Sequence, residues 1–478
     1  MRRPFLALLC LALSAPLARA DGDDFGPPPT PNTNPSLNPA ALLGPQPGMT
    51  ALFGLGQLDG DLWLQGSTLL DFDLGDIGVG LALPLNLLVK AQDESTRDAK
   101  TYFRVLRRAD YPAVSPDTLG YYAQMLRSVR YGHKRAPLYV QYGLLYGATL
   151  GHGTVVDRYN NSLDQSRPHA GLALDVNTRW GGFESLVGDL TNPADSVAGG
   201  RAYVRPFGGA DRPISSRWAI GVSVLGDHGA PREMSRNADG KSLVGKAAPL
   251  TVYGIDTEVE VFSNDVLQLV PYSDLNFQPA GNGWHTGVMG RFRFPVFGAL
   301  KLWSRLEYRL LQPGYIPEYF DAAYDLQRYA YPVAATGDLV PKAAAGTQLA
   351  AGGNDLRGSY YGEATADLLG LFQLGAYHSR TPSIAKSGSL VVFATVPAFQ
   401  KLKVSAYYLK KNFDGWNELA TLDDRSALTG QALYQLFDAP LPTFLSALFQ
   451  RRWQVDGETG TLHAANSWSV GFQTRLAF

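Results

Sequence analysis

The last twelve residues, Ser467 to Phe478, restrict what this chain can fold into more than any other stretch. Taken every second residue, they put Trp468, Val470, Phe472, Thr474, Leu476 and Phe478 in one set. Ser467, Ser469, Gly471, Gln473, Arg475 and Ala477 form the other. A period of two assigns each set to its own face of a β-strand. One face is apolar and aromatic, and the other is small, polar or charged. A strand of this length is about what crossing a bilayer requires.

The rest of the chain has to agree with that strand. Hydrophobic residues make up 45% of it, yet beyond the N-terminus no stretch reaches the ~18 uninterrupted apolar residues of a membrane helix. A chain without such helices can enter a membrane only as a closed sheet, because lipid cannot satisfy open strand edges. From Leu138 onward, strand candidates follow one another, many of them ten or more residues long. Turn signals separate them, such as Trp180-Gly181-Gly182, Ser263-Asn264-Asp265 and Asp438 to Pro442. With a hairpin over 62–89, the expectation is an all-β chain of about 18 strands, with 16 as the alternative. Short turns alternate with long connections at 150–167, 227–249, 312–357, 412–426 and 455–466. Aromatic residues near strand ends, among them Tyr308, Tyr377, Tyr408, Trp453 and Trp468, are expected to face a membrane interface.

An apolar face ending on a C-terminal Phe resembles the sorting signal of bacterial outer-membrane β-barrels. The resemblance implies a transmembrane, up-and-down antiparallel β-barrel, porin-like in size, set in outer-membrane lipid. It also implies that Trp468, Val470, Phe472, Leu476 and Phe478 form the strand read by the barrel-assembly machinery.

The N-terminal region suits that destination. Arg2 and Arg3, the apolar run Phe5 to Leu13, and Ala18-Arg19-Ala20 read as a secretory signal peptide over 1–20. Residues 21–60 read as a Pro/Asn-rich flexible segment. The barrel is expected over 61–478, with a partly helical insertion at 92–136 in which Ser115 to Arg130 resembles a short capped helix. The single cysteine, Cys10, lies in the signal, so the mature chain has no disulfide framework and no thiolate metal site. Without Arg2, Arg3 and Arg19, the 42 basic residues fall to 39 against 43 acids. A net charge near −4 argues against nucleic acid as a partner.

Charge alternates with apolar residues most clearly in the middle of the chain. Asp256, Glu258 and Glu260 do so in one strand, Arg291 and Arg293 in another, and Lys301, Arg305, Glu307 and Arg309 in a third. An Arg facing lipid near the midplane costs about 2–4 kcal/mol, so these nine residues are expected to form a charge belt in the lumen. Such a belt either borders open water and sets ion selectivity or pairs into a plug. The open path is the expectation, with small hydrophilic solutes as its cargo. The alternative is a non-transporting barrel whose long loops bind a surface partner or ligand. The loop Gly147 to Leu163, with His152, Asp157, Arg158 and Asn160-Asn161, is expected to be a surface turn, as loops usually are. The seven His are scattered and no G-x-S-x-G elbow is present. No catalytic residue, metal or cofactor is therefore expected, and the chain is read as not an enzyme.

Overall fold

The computed structural model describes residues 28–31, 33, 40–43, 47–58, 61–90, 103–105, 125–134, 136–161, 169–208, 214–236, 242–294, 300–329, 331–332, 339–351, 353, 355–423, 425–455 and 462–478. The signal segment and most of the expected short helix lie outside them.

One antiparallel sheet of 22 strand segments closes on itself. Closure comes from Gly48–Leu58, which pairs with Asp61–Leu74 on one side and Leu462–Ala477 on the other. The segments fill 20 positions around the barrel. Phe103–Val105 and Leu126–Tyr131 both lie along Ile77–Lys90, and Phe262–Ser263 continues Leu250–Val259 along Leu267–Gln278. The barrel thus has more strands than the expected 18, and both additions lie in segments read otherwise. Gly48–Leu58 lies in the stretch expected to be a flexible lead. Its outward positions Met49, Ala51, Phe53 and Leu55 are apolar, but the inward ones, Gly48, Thr50, Leu52, Gly54 and Gly56, are mostly glycine, so no polar set alternates with them. Those glycines are needed: a Cβ on Gly54 would sit 2.5 Å from the Val470 carbonyl oxygen. Leu126–Tyr131 lies within the stretch expected to be a partly helical insertion. Six residues containing two arginines are too few for a period of two to show.

Gly48, the turn at Gly75 and Ala477 share one rim, here the lower. Most lower-rim connections are short, including 179–180, 264–266, 369–371 and 400–401. The connections 144–170, 228–249, 312–356 and 414–425 leave the upper rim.

Alternate residues along the strands point outward and are apolar. Val222, Val224, Tyr253, Ile255, Leu306, Tyr308, Val470 and Phe472 are all exposed. Tyr377 departs from the expected girdle. It faces the lumen, where the Arg158 guanidinium lies 4.0 Å from its ring centre. The Trp453 side chain lies outside the described residues.

A barrel of this width leaves an aqueous hole if nothing enters it, since 16 to 18 strands already do so in porins. Two upper-rim connections enter this one. Leu145, Leu150, Val155, Val156 and Tyr159 of the first pack against Ile316, Tyr319, Phe320 and Tyr324 of the second. The barrel residues Leu186, Val197, Leu225 and Val252 complete this apolar core inside the lumen.

Candidate functional site

The connection after Leu138–Gly143 turns into the barrel at Gly143. Its φ of +101° is strained for any residue with a Cβ, and a Cβ there would meet the Arg127 carbonyl oxygen at 2.3 Å. Asn161 clamps the base of the loop. Its side chain accepts from Leu145 N at 2.8 Å and donates to the Gly188 carbonyl at 3.0 Å. The surface turn expected at Gly147–Leu163 is therefore an in-folded loop, with His152, Asp157, Asn160 and Asn161 all buried. Charge in the wall explains why it prefers the lumen to water.

On the acidic side, His152 inserts between two carboxylates. Its Nδ1 lies 2.7 Å from Asp274 Oδ1 and its Nε2 lies 2.8 Å from Glu258 Oε2. Carboxylates only accept, so both ring nitrogens donate and the imidazole is a cation. Burial pushes its pKa down, but Asp274 and Glu258 outweigh burial and raise it to about 10. The ring also stacks on Tyr272 at 4.3 Å, and Thr154 donates to the other Asp274 oxygen at 2.6 Å. Asp256 is held by Arg201 through bonds of 2.8 and 2.5 Å. Glu260 accepts from Gln268 at 2.7 Å.

On the basic side, the same loop presents Asp157. Arg305 donates to it at 3.1 Å, and also to the His152 carbonyl. Arg158 pairs with Asp157 at 2.9 Å and with Glu363. One loop thus offers a cation to the acidic strands and, five residues later, an anion to the basic one. The charge separation legible in the sequence is the template on which the loop folds.

A second knot lies beside the first. Fully buried Arg309 pairs with Glu307 and with Glu318 of the connection 312–356. His285 Nδ1 meets Glu307 at 2.9 Å, and its Nε2 meets the Tyr315 hydroxyl at 2.8 Å. Higher in that connection, Arg328 and Tyr324 both donate to Asp227, at 2.6 and 2.7 Å.

Asp256, Glu258, Arg305, Glu307 and Arg309 therefore point inward, but not as a ring in open water. They are paired, and all but Glu258 are buried. Arg291, Arg293 and Lys301 lie toward the lower rim, where Arg293 is opposite Lys301 in the register, and each is partly exposed. The nine residues form a column on one wall. Sequence reasoning missed the partners Arg201, Asp274, His285 and Glu318. The alternation around Asp274 and His285 was the one signal that could have found two of them.

The opposite wall is different. Thr395, Ser405 and Gln431 lie side by side in the register, and Thr429 lies beside Gln450. Gln473 and Thr50 continue this inward surface. The hydroxyls of Thr50 and Ser405, the Gln431 and Gln473 Oε1 and the Gln450 Nε2 have no hydrogen-bond partner in the protein.

The chain before Gly48 also enters the lumen. Leu42, 1% exposed, packs on Leu433 and Phe444, and Lys403 Nζ donates to its carbonyl at 3.1 Å. Further back, Thr33 accepts from Asn160 at 3.1 Å.

Among the described residues the sheet pairs all the way round, its outer face is apolar, and its inner face carries the ionic and polar groups beside the apolar core of the in-folded loops. Only a lipid surround suits that division. The chain is an outer-membrane-type β-barrel. Trp468, Val470, Phe472, Leu476 and Phe478 all lie exposed on its outer face. Among the described residues, no helix is long and apolar enough to cross a membrane, and no group of acids and histidines is arranged to hold a metal ion.

No protein-family model matches the barrel, and no curated protein matches it. Among solved structures it is similar to Pseudomonas aeruginosa OccK11 (OpdR), at 12% identity, covering 90% of this chain and 96% of that one, with a TM-score of 0.30. It is similar to P. aeruginosa OccK2 (OpdF) in complex with glucuronate, at 12% identity, covering 90% and 98%, with a TM-score of 0.32. The outer membrane protein OprD from P. aeruginosa matches at 10% identity, covering 91% and 95%, with a TM-score of 0.30.

Proposed function

We propose that the barrel is an outer-membrane, porin-like channel through which small hydrophilic solutes diffuse. The observation that carries this reading is the wall of Thr50, Ser405, Gln431, Gln450 and Gln473. Its polar atoms face inward without protein partners. A buried donor or acceptor left unsatisfied costs about 1–3 kcal/mol, so five on one surface call for water or a polar solute beside them. The ionic wall opposite fixes the in-folded loops, which narrow a bore otherwise too wide to select. The lower-rim cations Arg291, Arg293 and Lys301 would then set ion preference at that mouth. No catalytic role follows for the buried histidines: His152 and His285 are taken up by Glu258, Asp274, Glu307 and Tyr315.

Planar-bilayer recording of the purified protein tests the channel. Discrete conductance is expected, and it should turn more cation-preferring when Arg291, Arg293 and Lys301 are neutralised together. That change should shrink at 1 M salt, where the Debye length is about 3 Å. A folded barrel with no conductance would overturn the reading. It would favour a plugged barrel whose upper connections bind a surface partner, a second reading supported by the pairing of Arg305, Glu307 and Arg309.

The last strand is proposed as the segment read by the barrel-assembly machinery. Replacing Phe478 with Ser should reduce the heat-modifiable, folded barrel in the outer membrane while secretion continues. Unchanged yield of folded barrel would argue against that role.

A further inference from the structure

The outer face carries a feature that a uniform apolar belt does not need. Register places Tyr308, Tyr360 and Arg380 in one row, with Leu306, Gly362 and His378 in the row beneath. Leu306, Tyr308 and Tyr360 are exposed, so both rows face away from the lumen. Between them runs a groove of about 470 Å³ lined by Leu306, Tyr308, Tyr360, Gly362 and His378. It is shallow and open to the surroundings, a strip along the wall and not an enclosed cavity. Gly362 leaves its floor open, since a Cβ there would meet only Leu306 Cδ2, at 3.7 Å.

Polar groups stand at one end. His378 packs edge-on to Tyr360 at 5.7 Å, with Trp416 at 5.2 Å. Its Nδ1 donates to the Ser389 carbonyl at 2.8 Å, while its Nε2 is buried without a partner. Arg380, which extends the Tyr308–Tyr360 row beyond the groove, has its Nε buried without a partner, and among the described residues no carboxylate is paired with it. The acids of the adjacent connection are engaged elsewhere. Asp423 takes Lys410 at 2.7 Å and Arg425 at 2.6 Å, and Glu418 takes Arg425 at 3.3 Å. The three strands that build the groove all approach the upper rim here, the side of the long connections. A cation facing hydrocarbon is costly at the midplane and tolerated at headgroup depth, where anionic lipid phosphates lie.

We infer that this groove binds one outer-leaflet lipid, its acyl chain between Tyr308 and Tyr360 over Gly362 and its phosphate on Arg380. Tyr308, Tyr360 and Trp416 supply the amphipathic rim that such a depth favours. Both phosphatidylglycerol and phosphatidylcholine offer a phosphodiester to the planar donor fork of Arg, but the choline cation of the second opposes Arg380, so the net anionic headgroup is preferred. Lys386, in the connection just above, adds a second exposed cation near the headgroup.

Native mass spectrometry of the intact barrel tests this, after release from detergent micelles doped with equal amounts of dioleoylphosphatidylglycerol and dioleoylphosphatidylcholine. One phosphatidylglycerol should be retained in about fivefold preference, the effect of one basic side chain at an anionic surface. Arg380→Gln should abolish the preference and Arg380→Lys should keep most of it. Gly362→Leu, which fills the groove, should reduce retention of both lipids. Excess inorganic phosphate should leave retention unchanged if the acyl chain anchors the ligand. Equal retention of the two lipids by the parent overturns the inference, as does the same preference in a heat-modifiable Arg380→Gln barrel. Displacement by phosphate alone would also overturn it, reducing the site to an anion contact. Bilayer conductance of Arg380→Gln should match the parent, so this site can fail without the channel failing.

Discussion

On the wall that runs from Val197–Val204 to Arg357–Leu368, the buried inward charges are answered by other side chains. On the wall from Gly388–Phe399 round to Gly48–Leu58, a row of inward Thr, Ser and Gln, several without a protein partner, runs beside Lys403, Leu433, Phe444 and Arg475. Both walls are polar, and both belong to strands with apolar outer faces. The difference lies in what each wall meets. Charges taken from water must find countercharges, because an unpaired buried ion costs several kcal/mol. The ionic wall therefore draws loops onto itself. Uncharged polar groups can be satisfied by passing water or solute, so that wall can stay wet. Paired charge fastens the in-folded loops, and in the proposed channel the unpaired amide and hydroxyl groups would border the path beside them.

The contrast breaks first at Arg309. Arg309→Ala leaves Glu307 and Glu318 buried without their shared cation, and about 3–5 kcal/mol of stability should be lost. Urea unfolding followed by heat-modifiable mobility would read this. On the other wall, Ser405→Ala removes a buried hydroxyl that has no protein partner, so stability should be nearly unchanged or slightly raised. Equal losses at the two positions would erase the distinction.

His152 sharpens the comparison through pH. Its folded pKa is raised to about 10 against roughly 6.5 in the unfolded chain. The stability it contributes is thus complete below about pH 6.5 and is lost as pH rises to about 10. Thermal midpoints of the parent and His152→Gln should differ most in mild acid and converge near pH 10. A difference that stays constant from pH 6 to 10 would mean the ring is not charged in the loop.

A smaller effect is expected where the N-terminal segment meets the lumen. Leu42→Ala should cost about 2–3 kcal/mol at most, since it empties a small contact with Leu433 and Phe444. Removing residues 28–43 should raise single-channel conductance, because Thr33 and Leu42 occupy the bore. Conductance equal to the parent's would place the limiting constriction entirely in the two loops.

The smallest expected change in stability is on the polar wall. Replacing Gln431 and Gln450 with Leu removes groups that have no protein partner, so folding should be nearly neutral or slightly favoured. Conductance should nevertheless fall, since the path loses hydrogen-bonding capacity. A rise in conductance would show that water does not use this wall.

The sequence alone determined the barrel, its lower-rim turns and the inward direction of Asp256, Glu258, Arg305, Glu307 and Arg309. Strand alternation is local: a period of two is visible within ten residues, and lipid makes charge costly near the midplane of the outer face whatever the rest of the chain does. Even so, Gly48–Leu58 escaped notice, because close approach to Leu462–Ala477 replaced its inward side chains with glycine. Only the tertiary structure decided what the inward charges do. His152 meets Asp274 across 122 residues and Arg305 meets Asp157 across 148. No local pattern marks such partners. A loop is drawn into the lumen by the sum of countercharges that the closed barrel brings together, and that sum exists only once the sheet has closed.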